Sequence, residues 1–293
     1  MIQQLIDQIE SAISQKITGT KTVSGGDIAQ AFQLTDVQNR SYFLKYLPKS
    51  NGLFDAEQDG LQRLRKAGST FHTPEVILVG NNPSFLLLEW VQMRDSPISE
   101  QQSFYAGNAL AELHSNTNNQ DYFGLERDNF IGSISQPNTQ TELWIDFFYE
   151  NRGAKQLRLG KEKGLFSDYD LKCWAPFVKN YEQQLSPKMR PTLLHGDLWS
   201  GNIAYHPSAE KSSFIYDPAV YYGHPEMDLA MTKLFGGFTP AFYEGYFAKS
   251  SNALTGWENR LDFHQFYPIL IHALLFGGSY VAQVKSLLKK YGN

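Results

Sequence analysis

The sequence predicts an α+β fold in which a small antiparallel sheet of five strands comes first and a larger, mainly helical part follows. Before residue 92, short strand-like stretches alternate with turn residues, and one amphipathic helix interrupts them. After residue 91, helical periodicity dominates. Because 293 residues exceed the roughly 100–200 typical of one domain, we expect two lobes, residues 1–91 and residues 92–293.

The first lobe is predicted to begin with a helix and to continue as an antiparallel meander. Apolar residues recur at steps of three and four from Ile2 to Ile17, which places them on one helix face. Strand-like stretches follow at residues 20–24, 28–35, 41–47, 75–80 and 85–91. Since a helical pattern covers residues 53–67, one helix is inserted after the third strand.

The second lobe is predicted to be helical, with three short strands between its helices. Helical patterns cover residues 99–115, 141–157, 167–184, 225–235, 239–249 and much of 257–290. The strand-like pieces are residues 192–195, 202–205 and 214–217. Residues 116–140 are rich in Asn and Gln, and we expect them to form a long polar loop that is functional or mobile.

Composition excludes several classes of protein. Hydrophobic residues make up 42% and charged residues 19% of the chain, which is typical of a folded protein. A net charge of −4 without a basic run disfavours nucleic-acid binding. The single cysteine, Cys173, excludes an intramolecular disulfide. Neither a signal peptide nor an apolar stretch of about 20 residues is visible, so we expect a cytoplasmic protein that binds no membrane.

The strongest chemical signal is HGDLWSGN at residues 195–202, followed by Asp217 in FIYDPA. Asn202 follows Asp197 by five positions, which is the Asp-to-Asn spacing of the kinase catalytic loop. A hydroxyl that accepts a phosphoryl group needs a carboxylate to orient it and take its proton, and amide and carboxylate oxygens suit Mg²⁺. The pattern therefore predicts an ATP- and Mg²⁺-dependent kinase with Asp197 as the base and with Asn202 and Asp217 at the metal.

Lys45 and Glu57 are the candidates for a nucleotide-binding ion pair. Lys45 lies in YFLKYL, a predicted strand flanked by apolar residues, and Glu57 lies on the helix that follows. A lysine on the third strand that pairs with a glutamate on the next helix is the arrangement that positions ATP phosphates in kinases. Each residue alone is also compatible with a surface charge, so the order of the two elements carries the prediction.

Two further segments are candidates for nucleotide contacts by position. Gly25 and Gly26 lie between the first two predicted strands, where kinases place a glycine-rich loop over the phosphates, although an ordinary hairpin turn also explains them. Glu89, Trp90 and Val91 end the last strand of the first lobe. Their backbone groups would bind adenine if this segment acts as a hinge.

Support and substrate roles are predicted for a few other residues. Asp228 lies near the start of a helix, where it either stabilises the helix dipole or accepts hydrogen bonds from the loop that begins at His195. His114 is expected to be a packing histidine. The indole of Trp199 is expected to form an apolar wall beside the acceptor hydroxyl. Trp144 is a candidate for the opposite wall or, alternatively, a core residue.

The motifs LLHGDLWSGN, YDPA, YGHPEMDLAM and LFGGF resemble the fructosamine kinase family, which includes the ketosamine-3-kinase-related proteins. The resemblance implies a protein-kinase-like two-lobed fold. It implies that Asp197 accepts the proton, that Asn202 and Asp217 hold Mg²⁺, and that Lys45 pairs with Glu57. The implied reaction transfers the γ-phosphate of ATP to the 3-hydroxyl of a ribulosamine or fructosamine, free or protein-bound, and so promotes deglycation.

Alternatives stay open at this point. An aminoglycoside- or choline-type phosphotransferase shares the same loop pattern. A non-catalytic nucleotide-binding module is disfavoured because Lys45, Asp197 and Asp217 are all present. A protein kinase is disfavoured because Asp228 follows Asp217 too closely for a long activation segment. The glycine segment VSGGDIAQAF lacks the cysteine that some family members use for redox-linked dimers, and the oligomeric state is not predicted.

Overall fold

An antiparallel sheet of five strands is the main element of the first part of the chain. The computed structural model describes residues 2–23, 28–93, 97–115, 120–185, 190–250 and 254–292. The first elements are α1 (Ile2–Ile13), β1 (Ile17–Val23), β2 (Gln30–Asp36), β3 (Ser41–Leu47), α2 (Leu53–Lys66), β4 (Phe71–His72), β5 (Val76–Asn81) and β6 (Ser84–Glu89). The sheet order is β1, β2, β3, β6, β5, and α2 follows the third strand as predicted.

Strand β3 shows how alternation in the sequence positions a functional residue. Leu44 and Tyr46 pack into the cluster that contains residues of α1, whereas Phe43 and Leu47 pack on the opposite face against residues of α2. Because successive side chains of a strand point to opposite faces, Lys45 lies on the face of Phe43 and Leu47. The lysine is thereby directed toward α2.

The second part of the chain is mainly helical. Its strands are β7 (Asn129–Ile131), β8 (Ile134–Gln136), β9 (Thr192–Leu194), β10 (Ile203–Tyr205), β11 (Ser213–Ile215) and β12 (Tyr221–Gly223). Its α-helices are α3 (Glu100–Ser115), α4 (Trp144–Phe147), α5 (Lys155–Glu162), α6 (Asp168–Lys172), α7 (Trp174–Glu182), α8 (Glu226–Leu234), α9 (Pro240–Lys249), α10 (Leu261–Phe276) and α11 (Ser279–Tyr291). A π-helical turn (Phe148–Ala154) joins α4 to α5, and 3₁₀ turns cover Ser200–Asn202 and Trp257–Arg260.

Helices α3 and α9 pack at backbone contact. A Cβ atom at Gly107 of α3 would lie 1.9 Å from the carbonyl oxygen of Phe242, and one at Gly245 of α9 would lie 2.0 Å from that of Phe104. Only glycine allows this close approach. Within the described part of the chain, no helix is long and apolar enough to span a bilayer.

The end of the first helix differs from the prediction. The periodic apolar positions extended to Ile17, but α1 ends at Ile13 and Ile17 begins β1. Ser14 has a φ of 54°, a left-handed conformation that ends the helix, and the backbone N–H of Ile17 donates to Glu10 at 2.8 Å. The periodicity continued past the point where the backbone turns into the sheet.

The predicted polar loop over 116–140 is wrong for its second half. Residues 129–136 form the hairpin β7–β8, which turns at Gly132 with a φ of 57°. Asn129 and Gln136 are buried in it. Their amides looked like loop residues in the sequence, but hydrogen-bond partners allow them to be buried. The division into lobes at residue 91 stays a prediction.

Candidate active site

The loop between β9 and β10 carries the HGDLWSGN motif and is anchored by a buried carboxylate. Asp228, on α8, accepts hydrogen bonds from the backbone N–H groups of His195 at 2.8 Å and Gly196 at 2.9 Å. His114 lies 3.2 Å from the same carboxylate. Burial would raise the pKa of Asp228, but the bond and charge of His114 and the backbone bonds together lower it. Asp228 is therefore ionised. It accepts hydrogen bonds from the loop that begins at His195, which is one of the two roles predicted for it from the sequence.

Two ring contacts fix the orientation of His195. Its Nδ1 accepts a hydrogen bond from the backbone N–H of Asp197 at 3.3 Å, so the proton sits on Nε2, which donates to the carbonyl of Tyr216 at 3.0 Å. Burial lowers the pKa of His195 and keeps the ring neutral. Gly196, between His195 and Asp197, has a φ of 83°, and a Cβ atom there would lie 2.0 Å from the carbonyl oxygen of Ala219. Glycine is required at this position.

Asp197 and Asn202 are in direct contact. The side-chain nitrogen of Asn202 donates to the backbone carbonyl of Asp197 at 2.9 Å and to its carboxylate at 3.2 Å. The amide oxygen of Asn202 is therefore turned away from Asp197. Burial, with the nearby charge of Asp217, raises the pKa of Asp197 to about 7. A carboxylate with this affinity for protons suits general base chemistry near neutral pH.

Lys45, Glu57 and Asp217 form an ion-pair cluster between the sheet and the helical part. The Nζ atom of Lys45 lies 2.6 Å from Glu57 and 2.5 Å from Asp217. The side chains of Lys45 and Glu57 are only 12% and 10% exposed, whereas that of Asp217 is 45% exposed. Burial would lower the pKa of Lys45, but the charges of Asp217 and Glu57 raise it, so the lysine stays charged.

Asp217 has a backbone conformation that is rare outside glycine. Its φ is 56°, in the left-handed region, and it directly follows Tyr216, whose carbonyl accepts from His195. Such conformations persist only where surrounding contacts hold them, and they occur often at functional sites.

The donor atoms at this site fit a magnesium ion. The carboxylate of Asp217 is half exposed, and the amide oxygen of Asn202 is turned away from its neighbour Asp197. Oxygen atoms from carboxylate and amide groups are the protein ligands that Mg²⁺ prefers. The contact between Lys45 and Asp217 places a fixed cation next to the same carboxylate.

The candidate hinge follows the last strand of the sheet. The backbone N–H of Glu89 donates to the carbonyl of Glu75 at 2.9 Å and is thus used within the sheet. The ring of Trp90 lies 6.2 Å from that of Phe43, and Val91 is half-buried. A role of this segment in adenine binding stays a prediction. The candidate loop glycines, Gly25 and Gly26, lie outside the described residues.

The two candidate tryptophans are placed differently. Trp199 is 39% exposed and meets the edge of Phe235, with 6.1 Å between ring centroids. Trp144 is 4% exposed, and its indole N–H donates to the hydroxyl of Tyr181 at 2.8 Å. Of the two alternatives for Trp144, the structure shows the core residue, because its ring is enclosed in the helical core and does not line a cleft.

Sequence reasoning missed a set of buried polar residues next to the segment that follows Asp217. They are Asn129, Gln136, Asn138 and Arg152, and each is at most 5% exposed. The pair Gly132-Ser133 between NFI and ISQ is a two-residue turn signal that would have indicated the hairpin.

Comparison with known proteins settles the family. The model of the fructosamine kinase family matches residues 1–293. A probable ketoamine kinase of Vibrio parahaemolyticus is 39% identical over 98% of this chain and 96% of its own length. The chain belongs to the fructosamine kinase family. It is accordingly a phosphotransferase that uses an alcohol group as acceptor.

Other fructosamine kinase relatives and solved structures agree with this family and fold. A probable ketoamine kinase of Synechocystis is 39% identical over 98% of this chain and 96% of its own. A crystal structure from Haemophilus somnus, provisionally assigned as a fructosamine-3-kinase, matches with a TM-score of 0.84 and 27% identity over 99% of this chain and 97% of its own. A macrolide 2′-phosphotransferase matches with a TM-score of 0.63 and 16% identity over 98% and 96% of the two chains, which shows a shared fold alone.

Proposed function

We propose that this enzyme transfers the γ-phosphate of ATP to the 3-hydroxyl of a sugar ketoamine, with Asp197 as the proton acceptor. The observation that carries the proposal is the convergence of Asp197, Asn202 and Asp217 beside Lys45. This is the set of groups that phosphoryl transfer requires: a base, oxygen ligands for a metal and a cation for the phosphates.

Nucleotide binding would use both parts of the chain. Lys45, held by Glu57 at 2.6 Å, would contact the phosphates of ATP, and its pairing restricts the lysine to one position. Asn202 and Asp217 would hold Mg²⁺, which would neutralise the charge that develops on the phosphates. The backbone of residues 89–91 would bind adenine, and Gly25 and Gly26 would cover the phosphates.

The acceptor hydroxyl would bind within hydrogen-bond reach of Asp197. The carboxylate orients the hydroxyl and accepts its proton as the oxygen attacks the γ-phosphorus, while the bond from the phosphorus to the bridging oxygen of ADP breaks. Asn202 holds the base through the bond to its carboxylate. The exposed indole of Trp199, two residues after Asp197, would offer an apolar face to the sugar ring of the acceptor.

The substrate class rests on the relatives. The matched proteins of Vibrio parahaemolyticus and Synechocystis carry the name ketoamine kinase, and the family is that of fructosamine kinase. We therefore infer ribulosamines or fructosamines, free or on lysine side chains of proteins, as substrates. Phosphorylation at the 3-hydroxyl would destabilise the adduct and promote deglycation. Because ATP and Mg²⁺ are both available in the cytoplasm, we also propose a cytoplasmic location.

A panel of acceptors tests this function. The enzyme is incubated with ATP and Mg²⁺ and with ribulosyl-lysine, fructosyl-lysine, choline or an aminoglycoside, and ADP release is followed. We expect kcat/KM to be highest for a ketoamine. A higher kcat/KM for choline or the aminoglycoside than for both ketoamines would replace the ketoamine assignment with that of the corresponding phosphotransferase.

A further inference from the structure

Two buried side-chain amides of the β7–β8 hairpin donate hydrogen bonds to the backbone just after Asp217. The side-chain nitrogen of Gln136 donates to the carbonyl of Ala219 at 3.0 Å, and that of Asn129 donates to the carbonyl of Val220 at 2.8 Å. Gln136 is 0% exposed and Asn129 is 5% exposed. Neither side chain belongs to the proposed reaction, yet both bonds end within three residues of the candidate metal ligand.

The orientation of these amides is set by further buried bonds. The hydroxyl of Tyr267 donates to the side-chain oxygen of Gln136 at 2.9 Å, so the nitrogen of Gln136 must face Ala219. The oxygen of Asn129 accepts from both Gln136 and Asn138, each at 2.8 Å. A network in which every amide has one arrangement is rigid.

The network extends to a fully buried arginine. The guanidinium of Arg152 donates to the side-chain oxygen of Asn138 at 2.8 Å and to the carbonyl of Pro137 at 2.6 Å. It also lies over the ring of Tyr221, at 3.9 Å from the centroid. Within the described residues, no carboxylate pairs with Arg152. The charge of Arg152 is therefore stabilised by the carbonyl oxygen of Pro137, the amide oxygen of Asn138 and the ring of Tyr221.

Ala219 connects this network to the catalytic loop. Its carbonyl accepts from Gln136, and its N–H donates to the carbonyl of His195 at 2.9 Å. One residue thus joins the hairpin, the segment of Asp217 and the loop that carries Asp197. Asp217 itself has a φ of 56°, which needs surrounding contacts to persist.

We propose that Gln136 is a positioning residue for Asp217: through its bond to Ala219 it holds the 217–220 segment in the conformation that directs the Asp217 carboxylate to Lys45 and to the metal. This inference rests on the proposed role of Asp217 as a metal ligand. Outer residues that orient a metal ligand commonly change metal affinity by about 10–100-fold when they are altered.

The test compares two buried glutamines. Gln136→Met keeps the length and burial of the side chain but removes its bonds to Ala219, Tyr267 and Asn129. Gln156→Met is the matched control, because Gln156 is 2% exposed and donates to the carbonyl of Ser135 on the same hairpin. Binding of Mn²⁺ in the presence of a non-hydrolysable ATP analogue, without acceptor, is measured by electron paramagnetic resonance, together with Tm, kcat and KM.

We expect both glutamine variants to lower Tm to a similar extent, and only Gln136→Met to weaken Mn²⁺ binding, by roughly 10-fold. Its kcat should fall while the KM for the ketoamine changes by less than about twofold, since metal placement acts on the transition state more than on acceptor binding. Tyr267→Phe, which removes only the hydroxyl that orients Gln136, should weaken Mn²⁺ binding by a smaller factor in a folded protein.

Two results would overturn the inference. Unchanged Mn²⁺ affinity in both Gln136→Met and Tyr267→Phe would make Gln136 a structural residue only. Equal loss of Mn²⁺ affinity in Gln136→Met and Gln156→Met would attribute the effect to hairpin stability. Asp217→Ala serves as the reference: if it binds Mn²⁺ like the wild type, the proposed role of Asp217 fails, which is distinct from failure of Gln136 alone.

Discussion

Replacing Asp228 by Asn tests how the catalytic loop is held. The carboxylate accepts the N–H groups of His195 and Gly196 at 2.8 and 2.9 Å with separate oxygens. An amide offers one oxygen, so one of these buried N–H groups would lose its acceptor and face an NH₂ group. The lost bond to a charged acceptor and the unpaired donor together cost about 3 kcal/mol, a central value for such changes.

That free energy sets the scale of the effect on catalysis. About 3 kcal/mol corresponds to about a 100-fold lower population of the ordered loop if the loop is only marginally stable without its anchor. We therefore expect Asp228→Asn to lower kcat by about 10–100-fold. Steady-state phosphorylation of a ketoamine measures kcat, and circular dichroism establishes that the variant is folded.

Glu226→Gln provides the matched control for Asp228→Asn. Glu226 lies on the same helix, is 1% exposed, and pairs with Arg260 at 2.5 Å and His264 at 2.9 Å rather than with the catalytic loop. This variant should lower the free energy of unfolding but leave kcat within about twofold of the wild type. A kcat for Asp228→Asn within twofold of the wild type, in a folded protein, would refute the anchoring role.

Two more predictions concern the base and the dependence of stability on pH. Asp197→Asn should lower kcat by about 10²–10⁴-fold with ATP binding retained, because a positioned base contributes that much, and a variant with more than half of the wild-type kcat would exclude Asp197 as the base. Despite burial, the bonds from His264 and Arg260 lower the pKa of Glu226 from 4.5 to about 2, so its stabilisation is fully present above pH 4.5 and is lost as the pH falls toward 2. Tm measured from pH 6 to pH 3 should therefore fall less steeply in Glu226→Gln than in the wild type. If the two plots of Tm against pH are parallel, the lowered pKa of Glu226 does not contribute to stability.

Much of the fold was predictable because its elements have clear periods. The alternation in YFLKYL both indicated β3 and put Lys45 on one face, and the following amphipathic helix supplied Glu57. Their contact at 2.6 Å is the one predicted from the order of these elements. The contact of Asp228 with the loop was one of two alternatives, and the sequence could not choose between them because both need an acidic residue near a helix start.

Other features depended on tertiary contacts that the sequence does not display. Trp144 shares one helix face with Phe147 and Phe148, and an apolar face of this kind suits a buried core and a cleft wall alike, so the periodicity could not distinguish between them. Asn129 and Gln136 were assigned to a polar loop because the partners that permit their burial, such as the carbonyl of Ala219, lie more than 80 positions away in the sequence. Whether such a polar side chain is buried depends on hydrogen bonds to residues far away in the sequence, and local sequence patterns carry no information on these bonds.

The most direct test of the proposed reaction is the position of the phosphate in the product. Fructosyl-lysine is incubated with the enzyme, ATP and Mg²⁺, and the purified product is analysed by two-dimensional ³¹P–¹H correlation NMR. We expect a single phosphate coupled to the proton on C3 of the sugar, and no such product from Asp197→Asn under the same conditions. A phosphate coupled to the protons of another carbon, or no phosphorylated product from either fructosyl-lysine or ribulosyl-lysine, would contradict the assignment of this enzyme as a ketoamine 3-kinase.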